Sequence, residues 1–313
     1  MSSRILVTGA GGFLGHHLVR ALEARGCWVR GVDLRNPACE ESSAAEYLKL
    51  DLANWDDCLT ATEGIDYVFA LAANTGRPPS AAASRDNTLI NAQCLEAARA
   101  NKVRRFLYTS SSLVYPGGGP HTEQDAGNGD GAWDDLSMER LCHKYRKDFS
   151  LETRVARLHN VYGPLCAYEV YNEASPAGIC RRIAEAHSGD TLELPGDGRQ
   201  TFSHTYVDDC IEGLLRVMRS SCSTPLNIAA PEHVSLNELV RLTAQAAGKA
   251  IRVEHNLRTQ PGSGRSLDIE LSRQKLLWQP RVTLEAGIRR IYAWIEQELG
   301  YQGRLPRVRS AVA

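Results

Sequence analysis

A chain of 313 residues with 36 Lys and Arg against 37 Asp and Glu is long enough to bury a substantial core, as one large domain or two unequal lobes. Its balanced charge gives no global field to recruit nucleic acid or a membrane surface, so a small-molecule ligand is expected. The nine cysteines are spread over Cys27, Cys39, Cys58, Cys94, Cys142, Cys166, Cys180, Cys210 and Cys222, with no Cys-x-x-Cys pair and no Cys/His cluster at ligand spacing. That pattern argues against a metal site or a disulfide framework and for reduced, packed thiols in a cytoplasmic protein. The chain opens almost directly into Ile5-Leu6-Val7, without the pattern of a secretion signal. Its longest apolar run, 67–73, is far short of the roughly 20 residues that span a bilayer.

In chain order, β-branched runs at 5–8, 28–33, 47–51, 67–71 and 105–110 read as strands, with amphipathic segments such as 16–25 and 87–101 between them. Residues 155–158 add a sixth strand. The alternation predicts an α/β fold with a doubly wound parallel sheet, whose ligands sit beyond the carboxyl ends of the strands. After Gly163-Pro164 the alternation weakens and Gly and Pro recur, so a smaller mixed α/β lobe is expected. Ser235 and Glu238 have the spacing of a capping box opening a helix to about Ala247, and 283–299 reads as a last amphipathic helix. The expected division is 1–165 for the first domain, with some later segments returning to it, 166–302 for the second lobe and 303–313 for a loosely ordered basic tail.

The first strand runs into Thr8-Gly9-Ala10-Gly11-Gly12-Phe13-Leu14-Gly15 and then a helix pattern. Gly9 permits the tight turn, Gly12 lets backbone N–H groups approach a pyrophosphate, and Gly15 lets helix and strand pack closely, which is the logic of a Rossmann dinucleotide site. A second strand ends at Asp33, where a carboxylate accepts hydrogen bonds from the adenosine ribose hydroxyls and repels a 2′-phosphate. NAD is therefore favoured, although Arg35 leaves NADP open.

This glycine spacing resembles the short-chain dehydrogenase/reductase superfamily, in its extended, nucleotide-sugar-modifying branch. Further matches follow in order: Asp51-Leu52; Leu71-Ala72-Ala73; Ser110-Ser111-Ser112 with Tyr115; Arg157 through His159, Asn160 and Tyr162 to Gly163-Pro164; Gly196 and Gly198 with Asp208-Asp209; and Arg265. Within that branch, the stretch from Leu141-Cys142-His143-Lys144 to Phe149, His159-Asn160-Val161-Tyr162-Gly163-Pro164 and Asn172-Glu173-Ala174-Ser175-Pro176-Ala177 are similar to the GDP-mannose 3,5-epimerase group. The resemblance implies cofactor contacts from the glycine turn with Phe13 and Leu14, then from Asp33, Arg35, Asp51, Leu52, Leu71, Ala72, Ala73, Asn87, Ser110 and His159. It implies a nucleoside diphosphate sugar, GDP-linked by preference, contacted by Asn74, Thr75, Asn160 and Arg265. Arg suits that task because its planar fork bonds phosphate oxygens bidentately. A homodimer through the helices around 87–101 and 135–149 is implied as well.

The family's acid-base centre, Tyr-x-x-x-Lys, occurs nowhere in this chain. Alignment on Leu141-Cys142 puts Gly131 in the Tyr position and Asp135 in the Lys position. The epimerase Cys falls on Leu113 and its partner Lys on Ala174, the dehydratase Asp-Glu pair on Ser112 and Leu113, and a nucleotide-contacting Arg on Phe202. Ser111, Ser112, Asp134 and Asp135 are the remaining catalytic candidates, with Tyr115 and His159 nearby. Each has a structural alternative: a strand-end cap for Ser111, the solvated first turn of a helix for Asp134 and Asp135, a buried hydrogen-bonded side chain for His159. Three functions stay open: an NAD-dependent epimerase with a rewired acid-base set, a catalytically silent binder of NAD and nucleotide sugar, or an enzyme whose chemistry leaves NAD structural.

Overall fold

A computed structural model describes residues 3–37, 40–74, 80–127, 133–168, 175–259 and 264–305. The first half runs β1 (Arg4–Thr8), α1 (Phe13–Glu23), β2 (Trp28–Asp33), β3 (Glu46–Lys49), α2 (Trp55–Thr62), β4 (Tyr67–Ala70), α3 (Ala81–Ala100), β5 (Arg105–Ser111), β6 (Gly118–His121), α4 (Trp133–Phe149) and β7 (Glu152–Leu158). There follow β8 (Val161–Tyr162), α5 (Pro176–Glu185), β9 (Thr191–Pro195), β10 (Thr201–Ser203), β11 (Thr205–Tyr206), α6 (Val207–Arg219) and β12 (Leu226–Ile228). The chain ends with β13 (His233–Ser235), α7 (Leu236–Ala247), β14 (Arg252–Asn256), β15 (Arg265–Leu267), α8 (Glu270–Leu276) and α9 (Leu284–Tyr301).

Seven strands form one sheet in the order β12-β7-β5-β4-β1-β2-β3, every neighbouring pair parallel. Side chains alternate across it as a period of two requires. Ile5, Val7, Phe69 and Leu107 join the core shared with α1 and α6, whereas Leu6, Val68, Ala70, Phe106 and Tyr108 join the core under α2, α3 and α4. This is the doubly wound parallel sheet expected of the sequence. The order reverses between β1 and β4, and registers of Thr8 with Val32 and Ala70, and of Ala70 with Tyr108, bring the carboxyl ends of β2, β1, β4 and β5 side by side. A crevice at that reversal is where such sheets bind ligands.

The rest is built from α5, α7 and α9 packed together and from two-stranded ladders: β14 with β9, β10 with β13, β11 with β8, and β15 with β6. Ser235 caps α7 by accepting from the Glu238 N–H at 3.1 Å. The Glu238 carboxylate pairs with Arg241, and Gly248 ends the helix at φ 63°. Three elements start earlier than their apolar patterns suggest. Gly12 hands the chain to α1 at Phe13, Ser80 caps α3 ahead of Ala81, and β7 begins at Glu152, whose polar residues continue the ladder with β5.

Candidate active site

The glycine turn is tight in the way a dinucleotide cradle demands. Gly9 has φ +68°, and a Cβ there would lie 2.9 Å from the Leu71 carbonyl oxygen; a Cβ on Gly15 would lie 2.0 Å from the Gly9 oxygen. No side chain caps α1 and its first turn holds no acid, so its leading N–H groups, at Phe13, Leu14 and Gly15, point out of the helix as an anion site. Thr8 Oγ1 accepts from the N–H groups of Leu71 and Ala72, each at 3.1 Å, tying the tip of β1 to the tip of β4. Asp33 at the tip of β2 accepts from the Gly11 N–H at 3.0 Å and the Arg35 N–H at 3.2 Å. A carboxylate has about four lone-pair positions, so acceptor capacity remains for ribose hydroxyls. The Arg35 side chain is exposed beside it. These residues fit a dinucleotide: glycines where a Cβ would intrude, an uncapped helix start and an acceptor at the next strand.

Around this turn, Leu52 is buried while Asp51 is exposed, its Oδ1 accepting from the Ala53 N–H at 2.9 Å. The chain leaving β4 through Ala72, Ala73 and Asn74 is held by two asparagines one helical turn apart on α3. Asn87 accepts from the Asn74 N–H and donates to the Asn74 carbonyl, and Asn91 donates to the Ala72 carbonyl at 3.3 Å. Thr75, Gly131, Asn172, Glu173 and Ala174 lie outside the described residues.

The catalytic candidates separate into two groups. Ser111 Oγ, at the end of β5, donates to Asp135 Oδ2 at 2.7 Å, and Tyr108 donates to Asp135 Oδ1 at 2.6 Å. Each oxygen of the Asp135 carboxyl group thus meets one hydroxyl. Burial raises the Asp135 pKa, with help from Asp134 and Glu139 and against the two hydrogen bonds. The Tyr108 phenol is held far from ionisation by burial and by the same carboxylate. Asp134 stands in the first turn of α4, where a carboxylate complements the helix dipole.

Ser112 turns the other way, to the His159 Nδ1 at 2.8 Å. His159 is 2% exposed, and burial, aided by the Arg265 and His233 charges, pushes its pKa down to about 4. Asn160 sits at φ +40°, a left-handed conformation that Asn tolerates better than most residues. Its amide reaches the His159 ring at 3.2 Å and the Ser203 carbonyl at 3.1 Å. Arg265, placed by the β15–β6 ladder, donates through Nε to the Tyr115 carbonyl at 3.0 Å. Asn160 and Arg265 thus flank one histidine.

Ser110 lies 3% exposed and donates to Glu139 Oε1 at 2.6 Å, below the crevice floor. Glu139 in turn holds Arg157 bidentately, at 2.9 and 2.6 Å, and Arg157 donates to the Tyr115 hydroxyl at 2.8 Å. Tyr108, Glu139 and Arg157 were not singled out as site residues by sequence reasoning. A usable signal was present: Tyr108 and Ser110 share one face of β5, roughly 6.6 Å apart along the strand, and Asp135 and Glu139 share one face of α4, roughly 5–6 Å apart. Equal spacings let the two pairs meet, Tyr108 on Asp135 and Ser110 on Glu139. His204 also escaped notice: both ring nitrogens are buried without a hydrogen-bond partner, and burial takes its pKa to about 3.

A family model described as the NAD dependent epimerase/dehydratase family matches residues 5–229. GDP-mannose 3,5-epimerase 1 of Oryza sativa subsp. japonica is 36% identical, over 95% of this chain and 82% of that enzyme. UDP-glucuronic acid decarboxylase 1 of Xenopus tropicalis is 30% identical, over 96% of this chain and 73% of that one. Among solved structures, UDP-glucuronic acid 4-epimerase from Bacillus cereus in complex with UDP-glucuronic acid and NAD superposes with a TM-score of 0.80 at 27% identity, covering 94% of this chain and 99% of that one.

Proposed function

Since this chain belongs to the NAD-dependent epimerase/dehydratase family of nucleotide-sugar enzymes, with NAD as its cofactor, we propose that it is a nucleotide-sugar epimerase whose proton relay is Ser111 and Asp135 in place of Tyr and Lys. NAD supplies a reversible hydride acceptor when bound in the glycine cradle. The residues of the chain move the proton. Ser111 Oγ takes the proton of the sugar hydroxyl being oxidised while passing its own to Asp135 Oδ2, 2.7 Å away; the reverse transfer restores the hydroxyl. A carboxylate whose pKa burial has raised is a stronger base than an exposed one, and positioned acid-base groups contribute about 10²- to 10⁴-fold. The Ser111–Asp135 contact carries this reading.

Asn160 and Arg265 would hold the nucleotide sugar from the side of His159, which burial keeps neutral and suited to bonding hydroxyls. The likeness to GDP-mannose 3,5-epimerases supports a GDP-sugar over a UDP-sugar. Exposed apolar side chains on the paired helices, Leu89 on α3 and Phe149 on α4, support a homodimer through that face. The test is incubation with NAD and a panel of GDP- and UDP-sugars in deuterated solvent, following nicotinamide absorbance and deuterium in the product. Turnover is expected, fastest with a GDP-sugar. Tight binding of NAD and sugar with no turnover on any of them would make the chain a non-catalytic binder, consistent with its missing Tyr-x-x-x-Lys.

A further inference from the structure

Asp33 would hold the adenosine end of the dinucleotide at the tip of β2, and the glycine turn would hold its phosphates at the tip of β1. The other half would then extend over β4 and β5, which lie up to three strand spacings from Asp33 in the order β2-β1-β4-β5, about 14 Å. Ser111 and Asp135 stand at that end. The charged groups acting most strongly on Asp135 are two more carboxylates, Asp134 and Glu139. Arg157, the cation of the neighbouring network, and Glu139 offset one another through two hydrogen bonds, which leaves Asp134 and Asp135 as the carboxylates at this end of β5 that contribute net negative charge. Asp135 itself is held by two neutral hydroxyl donors, which stabilise its charge without cancelling it.

The oxidised nicotinamide ring is a cation and the reduced ring is neutral, so a negative field discriminates between them. We propose that Asp135 biases the cofactor site toward the oxidised dinucleotide, so that the protein binds NAD⁺ more tightly than NADH. This rests on the cofactor placement used for the proposed function but not on the proton relay. Its consequence for that function is that any reduced cofactor is short-lived: the site favours handing the reducing equivalents back to the sugar over retaining them.

The experiment is equilibrium titration of the full chain with NAD⁺ and, separately, with NADH, by calorimetry. Wild type is expected to favour NAD⁺. Asp135→Asn should lower the ratio of the NADH to the NAD⁺ dissociation constant about tenfold, the scale of one unit charge at partly buried range. Tyr108→Phe, which removes a donor but keeps the carboxylate, should leave that ratio unchanged or raise it. Asp135→Ser carries the same expectation as Asp135→Asn, should the latter fail to fold. A wild-type preference for NADH, or a ratio unmoved by loss of the carboxylate while both forms still bind, overturns the proposal. Failure of wild type to bind either form overturns the cofactor placement beneath it.

Discussion

Four residues apart on α4, Glu139 and Asp135 are both carboxylates drawn out of water, and their surroundings assign them opposite tasks. Glu139 meets Arg157 through two hydrogen bonds, with both side chains almost wholly buried, at 7% and 4% exposure. It closes a knot that also takes in Ser110, Tyr115 and Asn227. Among the described residues, Asp135 accepts hydrogen bonds from two hydroxyls, Tyr108 and Ser111. A buried carboxylate with a bidentate cation is locked in one protonation state and becomes scaffold. A half-buried carboxylate held by hydroxyls is left with a raised pKa and becomes a usable base. The cation, more than the burial, decides which.

That contrast breaks first at the scaffold. Arg157→Leu leaves the Glu139 charge buried and unpaired, so chemical denaturation should show a loss of about 3–5 kcal/mol; a loss under about 1 kcal/mol would mean that the pair is not structural. Ser111→Ala comes next. On the proposed relay it removes the link between Asp135 and substrate, so turnover with the preferred nucleotide sugar should fall about a hundredfold or more while NAD⁺ affinity stays within about twofold, as steady-state kinetics and calorimetry would record. An equal loss of both would assign Ser111 to cofactor binding.

The third test turns on His159. Its folded pKa of about 4 lies below the ordinary value of 6.5, so between those values the unfolded chain binds the extra proton and stability is lost as pH falls. From pH 7 to 5 the loss should be about 2 kcal/mol, and His159→Gln should flatten the denaturation midpoint over that range. The smallest effect belongs to Asp135→Asn at pH 7. Because burial already disfavours its ionisation, removing the charge should change stability by less than about 1 kcal/mol in either direction. A cost near that of Arg157→Leu would erase the distinction between the two carboxylates.

The sheet was legible in the sequence because five or six apolar runs, each four to seven residues long and most of them separated by amphipathic segments, carry a strong periodic signal. The two-stranded ladders outside that sheet were not. β8 and β11 are two residues each, too short to show a period. β6 is Gly-Gly-Pro-His, a composition that reads as a turn, and its partner β15 lies well over a hundred residues away. At the site, Gly9, Gly15 and Asp33 could be read directly because each answers a local steric or hydrogen-bonding demand. Ser111 and Asp135 could be named as candidates one by one, but their contact depends on α4 lying across the end of β5. Arg157 was visible only as part of a motif, since nothing local marks a buried arginine as the counterion of a particular glutamate.

β12 carries a consequence of its own. This three-residue strand comes from beyond α6, yet it covers the outer edge of β7, and its middle residue, Asn227, is fully buried, contacting Tyr115, Glu123, His121, Asp268 and Ser272. The two halves of the molecule are therefore laced through each other. A fragment cut anywhere before β12 would bare an unpaired sheet edge, a template for sticking to other chains, and would take a wall from the knot beneath the crevice. Exchanging the part of the chain beyond β7 for that of a relative would thus mean re-cutting the parallel sheet as well, so changes in specificity are better sought by point substitution within the intact polypeptide.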